Sequence, residues 1–170
     1  IHGESDHYSP GIFPLVGTDG TPNALLNYAD ALIEWQRDYE AGVKAITGQT
    51  EPVPLFLVQM HGWVGDSSTN KSVIPMNQLA GHVRAPGKVV LVAPQYPVEF
   101  KYQDSIHLST AAGRRLGEYF AKAYASVIMA GKPWEPVRPI RIQRQANILN
   151  VTFVMPVAQA TCTSSAARTR

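Results

Sequence analysis

Apolar residues between Pro22 and about Thr47 fall at Leu25, Tyr28, Ala29, Leu32, Trp35, Tyr39, Val43 and Ile46, and this helical spacing predicts an amphipathic helix. Thr21 stands where an N-cap is expected, Pro22 suits the first helical position, and Gly48 follows the last apolar residue. Trp35 and Tyr39, on the apolar stripe, are expected in the core or facing a sheet. The run Pro54-Leu55-Phe56-Leu57-Val58-Gln59-Met60 is largely apolar and too short for a helix, as expected of a strand covered on both faces in a parallel sheet. A helix is expected from Ser72 to about Val83, with Pro75 in its first turn, and Val89-Val90-Leu91-Val92 reads as a second buried strand. Strand, helix and strand in that order predict a right-handed parallel crossover. Helical spacing returns between Ser109 and Met129, at Ala112, Leu116, Tyr119, Phe120, Ala123, Tyr124, Val127 and Ile128, closed by Gly131.

The segment from Ile1 to Thr21, rich in Gly, Pro, Ser, Asp and His, reads as an irregular loop. Lys132-Pro133-Trp134-Glu135-Pro136 breaks the last helical pattern. Ile140 and Ile142, then Leu149, Val151 and Phe153, alternate with period two around Asn147, which predicts a hairpin appendage anchored by Trp134. Residues 158–170 carry no apolar pattern and read as a disordered tail. The organisation expected is an α/β domain over residues 1–131, a β-hairpin appendage over 132–157 and that tail.

With 170 residues and 45% hydrophobic content, the chain can bury one sizeable core. Fifteen basic and thirteen acidic side chains leave a formal net charge of +2, which is no electrostatic footprint for nucleic acid. Cys162, the single cysteine, cannot close an internal disulfide, and no Cys/His spacing resembles a metal site. No stretch approaches the roughly 20 apolar residues that a membrane span needs, so no membrane partner is expected. The first residues have neither the basic nor the apolar region of a signal peptide.

Two short constellations carry candidate chemistry. Asp104-Ser105-Ile106-His107-Leu108-Ser109 lies after a strand and loop and directly before the long helix. An imidazole that takes a proton from a nucleophile needs a carboxylate to hold its tautomer and stabilise its charged form, and an Asp and a His three apart can form that pair. The plain alternative is a turn-capping Asp104 beside an ordinary loop histidine. The second constellation is His2-Gly3-Glu4-Ser5-Asp6, where a glycine permits close backbone approach and its neighbours can offer donors to an oxyanion, or simply form a solvated loop.

In order and content the two motifs resemble the SGNH/GDSL hydrolase superfamily, in particular its sialate O-acetylesterase-like carbohydrate esterases. There, one block reads Trp-x-Gln-Gly-Glu-x-Asp, similar to Ile1-His2-Gly3-Glu4-Ser5-Asp6, and the last is Asp-x-x-His before a small-residue helix, similar to Asp104-Ser105-Ile106-His107 with Gly113 and Gly117. The helix and strand order between them, including a helix that carries Gln78, is also similar, and the resemblance spans roughly residues 1 to 155. It implies a three-layer α/β sandwich with a parallel sheet, flavodoxin-like in layout and lacking its leading strands. It also implies removal of O-acetyl groups from a carbohydrate through an acyl-serine, without metal or organic cofactor. His107 would be the general base, Asp104 its orienting partner, and His2, Gly3 and Glu4 the oxyanion and substrate-binding wall. His2 departs from the family, which has an amide side chain there. The family's Gly-x-Ser block and its glycine-donor block have no counterpart ahead of Gly3, so the nucleophile is expected from a separate N-terminal segment of the same domain. An extracellular or periplasmic site is expected from the resemblance alone.

Gly65-Asp66-Ser67-Ser68-Thr69-Asn70 spells a similar nucleophile turn, but it follows a strand the family uses late and leads into a Pro-interrupted helix, so a solvated loop is expected of Ser67. His7, His61 and Trp63 lie on loops that could line a carbohydrate pocket, and His82 reads as a helix-end histidine rather than a ligand. Arg138, Arg141 and Arg144, three apart in a strand, are not expected on one face. The competing function is a non-catalytic carbohydrate-binding or scaffold protein. A flavodoxin-like nucleotide-binding domain is disfavoured because no Gly-rich loop joins a strand to a helix.

Overall fold

The computed structural model describes residues 13–16, 22–25, 28–61, 73–101 and 107–154. They form two units, one ending at Trp134 and one beginning at Glu135, a boundary three residues beyond the one expected from Gly131.

The first unit is α/β. Its centre is a two-stranded parallel sheet of β3 (Leu55–Gln59) and β4 (Val89–Pro94), with Leu55, Phe56 and Leu57 opposite Val89, Val90 and Leu91. Side chains alternate across a strand, and here both faces are covered. Leu57, Val89 and Leu91 pack with Tyr28 and Leu32 of α1 (Tyr28–Thr47) and Ile74 of α2 (Val73–Arg84). Val58 and Val92, with Phe56, pack instead on Ala112, Leu116 and Ala123 of α3 (Thr110–Tyr124). Burial on both faces is why neither strand alternates apolar with polar residues.

Gly81 of α2 sits where an added Cβ would come within 3.4 Å of Leu32, so its lack of a side chain lets α1 and α2 approach. Gly48, at φ 71°, ends α1 in the left-handed conformation that costs glycine little. Past Tyr124, α3 widens into a π-helical turn over Ala125–Met129.

Several expectations are corrected. Pro22–Leu25 is not the start of α1. It forms β2, antiparallel to β1 (Phe13–Val16), within the segment read as irregular. A nearby extended partner overrides local helical spacing, and Pro22 takes the first strand position, where a missing N–H is tolerated. Trp35 and Tyr39 are exposed, at 46% and 60%. The buried stripe of α1 runs through Tyr28, Ala29, Leu32 and Gln36 instead. Gln36 can occupy it because its amide donates to the Val53 carbonyl at 3.1 Å and to Glu40 at 2.6 Å, which satisfies the buried donor. Trp134 is a core anchor of the first unit, not of the appendage: its indole N–H donates to the Val92 carbonyl at 3.0 Å and its ring packs on the α3 side of the sheet.

The second unit is a hairpin of β5 (Arg138–Gln145) and β6 (Ile148–Val154) joined by Ala146 and Asn147. An irregularity between Pro139 and Arg141 removes one residue from the alternation. Arg138 and Arg141 therefore share a face, opposite Val154 and Thr152, while Arg144 lies opposite Leu149 on the other. Sharing a face corrects the expectation for that pair. Arg138 is held by Glu135 at 3.0 Å.

Two expected outcomes follow from these packings. Hydrogen bonds from Lys44 and then Gln36 hold the Glu40 carboxyl below the usual carboxylate range. A lowered folded value stabilises the protein above the unfolded carboxylate range, and the contribution fades as pH falls through the folded value. The stability gap between wild type and Glu40→Gln, measured by urea unfolding, should therefore be larger at neutral pH than at pH 3. In the hairpin turn, Ala146 sits at φ 51°, where a Cβ is strained. Ala146→Gly should stabilise β5–β6 by about 1 kcal/mol, read as slower amide hydrogen exchange along the ladder.

Candidate functional site at the carboxyl ends of the parallel strands

In open α/β sheets, ligands bind beyond the carboxyl ends of the strands, where loops carry chemistry on a rigid frame. Here those ends are tied together by amides. Met60, just past β3, donates its backbone N–H to the Gln78 side-chain oxygen at 2.8 Å, in place of a ladder partner. The Gln59 side chain donates to the Pro75 carbonyl at 2.9 Å, in the first turn of α2, and the Gln59 carbonyl accepts from the Gln95 amide at 2.8 Å. Gln78 and Gln95 are both buried, at 0% and 5% exposure. The Gln78 Nε2 is also buried and has no hydrogen-bond partner among the described residues, an uncommon state for a native donor.

Beyond β4 the chain turns at Gln95, whose carbonyl accepts from the Val98 amide at 3.1 Å, and then runs beside the residues that precede α3. Phe100 and Leu108 form an antiparallel bridge. The Ser109 amide donates to the Glu99 carbonyl at 3.0 Å and the Lys101 amide to the His107 carbonyl at 2.8 Å. The Ser109 hydroxyl is used twice: it accepts from the Ala112 amide at 3.1 Å, capping α3, and donates to the Glu99 carboxylate at 3.0 Å. His107 is thus held by backbone bonds, with an exposed side chain, directly before the helix that covers one sheet face. The His61 ring packs on the Phe100 ring with centroids 4.0 Å apart, and this contact joins the end of β3 to the strand segment opposite His107.

Of the residues singled out in the sequence, His107 and His61 lie at this edge. Asp104, His2, Gly3, Glu4, His7, Trp63 and Ser67 lie outside the described residues. His82 is buried in the last turn of α2, with Nδ1 3.0 Å from the Val89 carbonyl and 3.3 Å from the Leu91 amide, a place in the core frame. A groove of about 440 Å³ runs along the first turns of α3, bordered by Glu99, Arg114, Arg115 and Glu118, and His107 is not part of its lining. Among the described residues no group of three or more His, Cys, Asp or Glu side chains is placed to hold a metal ion, and no helix is long and apolar enough to cross a membrane.

Sequence reading passed over Gln59, Gln95, Glu99 and Phe100, and noted Gln78 only as part of a pattern. The signal available was a glutamine closing the apolar run Leu55-Phe56-Leu57-Val58, since a polar residue in a buried strand needs an assigned partner. No family model matches the chain, and no curated protein or solved structure matches it.

If the Phe100 ring helps hold the pair of segments around His107, Phe100→Ala should speed amide hydrogen exchange at Lys101 and Ser109 while leaving the β3–β4 ladder protected. Equal acceleration in both places would assign Phe100 to the general core.

Proposed function

We propose that this chain belongs to a serine esterase of the SGNH/GDSL type that removes O-acetyl groups from a carbohydrate. The observation that carries the reading is the setting of His107: an exposed imidazole on a backbone-paired segment beyond the carboxyl end of a buried parallel strand, directly ahead of a capped helix. That is where a general base must stand to meet a substrate in an α/β sheet. The motif resemblance supplies the reaction class. The finer architecture, a three-layer sandwich whose sheet is completed by leading strands, belongs to the same proposal.

In this reading a serine hydroxyl from outside the 170 residues attacks the acetyl carbonyl carbon, and His107 accepts the hydroxyl proton. Collapse of the tetrahedral species breaks the bond to the sugar oxygen, which takes the proton back from His107. Water, deprotonated by the same imidazole, then attacks the acyl carbon; the bond to the serine oxygen breaks, that oxygen takes the proton back from His107, and acetate is released. Asp104 orients the imidazole and stabilises its charged form. His2, Gly3 and Glu4 form the wall that donates to the oxyanion. The chemistry needs no metal or organic cofactor.

Reaction of the purified chain with a fluorophosphonate probe, followed by peptide mass spectrometry and an acetate-release assay, tests the reading. Restoring the upstream segment should give labelling at one serine and acetate release, and His107→Ala should lower the rate by several orders of magnitude, because the members of such a triad act as one unit. Labelling of Ser67 in the chain alone would relocate the nucleophile. Binding of acetylated sugars with neither labelling nor acetate release, with the upstream segment present, would place the protein in the carbohydrate-binding class instead.

A further inference from the structure

The frame of the candidate site holds one group whose state its own stability does not account for. Gln78 projects from α2 into the region beyond β3 and is 0% exposed. Its oxygen accepts the Met60 N–H, while its Nε2, equally buried, has no acceptor among the described residues. A buried donor left unmade opposes folding by an amount comparable to what the bond on the same side chain contributes. A methionine of similar length would fill the same space, with the Met60 N–H left unmet in place of the Nε2.

The difference a glutamine makes is geometric. By taking the Met60 N–H it sets the course of the chain one residue before His61. The His61 ring lies 4.0 Å from that of Phe100, and Phe100 is bridged to Leu108, with the Lys101 amide on the His107 carbonyl. An unbroken series of contacts thus runs from α2, through the end of β3, to the segment carrying His107.

We propose that Gln78 is a positioning residue: its side-chain oxygen sets the end of β3 and, through the His61–Phe100 ring contact, the placement of His107. The coupling is a property of the described residues. Its catalytic meaning rests on the esterase reading above, so the test is chosen to need no turnover.

Ring-proton NMR signals of His61 and His107, assigned by single His→Ala variants, are compared in folded wild type and Gln78→Met. Methionine removes the unpaired Nε2 but also the acceptor of the buried Met60 N–H, so one unmet donor replaces another and the thermal midpoint should stay close to wild type while both ring signals shift. Gln78→Glu, whose buried carboxyl keeps an acceptor oxygen at the same reach, should return the signals towards their wild-type positions. Leu32→Ala, which loosens the same core cluster from α1, should leave the His107 signal in place. An unmoved His107 signal in Gln78→Met, or an equal shift in Leu32→Ala, overturns the proposal. Should Gln78→Met fail to fold, Gln78→Asn, one methylene too short to reach Met60, is read in the same way. Absence of serine labelling would count against the esterase reading and not against this coupling, so the two can fail separately.

Discussion

The parallel pairing of β3 and β4 is the constraint on which the first unit turns. Parallel strands cannot be joined by a tight turn, so the chain between them must leave the sheet and return, and α2 is part of that return. Once paired, Leu57 and Leu91 need cover on one face, and Val58 and Val92 need it on the other. The helices are placed by that demand, α1 and α2 on one side and α3 on the other. Burying such apolar area is the dominant favourable term in folding, and here it also decides which polar groups are enclosed.

Enclosure explains the amides at the carboxyl edge. Where a strand stops, its backbone groups lose their ladder partners yet remain away from water, and each must find another. Gln59, Gln78 and the backbone of Gln95 fill those places, linking β3, α2 and the turn after β4. The result is a rigid rim made of short polar contacts rather than of bulk. Rigid rims suit chemistry, because a side chain held within a fraction of an ångström needs little further ordering when a ligand arrives.

The π-helical turn at Ala125–Met129 and the hairpin beyond Glu135 differ in character from this rim. The hairpin exposes Ile142, Leu149 and Phe153, and its ladder is bent by the irregularity at Pro139. A two-stranded hairpin buries little by itself, so its geometry rests on backbone pairing and the turn at Ala146 and Asn147.

Much of this was legible in order. Unbroken apolar runs at Leu55–Val58 and Val89–Val92 marked strands buried on both faces, Ser109 marked a helix start, and period-two alternation about Asn147 marked the hairpin, because each signal is local and depends on a side-chain period that the backbone geometry imposes. The Asp104 and His107 motif was legible only as a resemblance, and Asp104 lies outside the described residues. What local pattern could not decide was set by partners distant in the chain. β1 drew Pro22–Leu25 out of the helix, Val53 and Glu40 gave Gln36 a buried place that Trp35 and Tyr39 did not take, and Val92 gave Trp134 its anchor. Likewise nothing near Gln78 in sequence indicates that its oxygen is committed to Met60, eighteen residues away, because a hydrogen bond of that separation exists only once the sheet and the helix have closed around it.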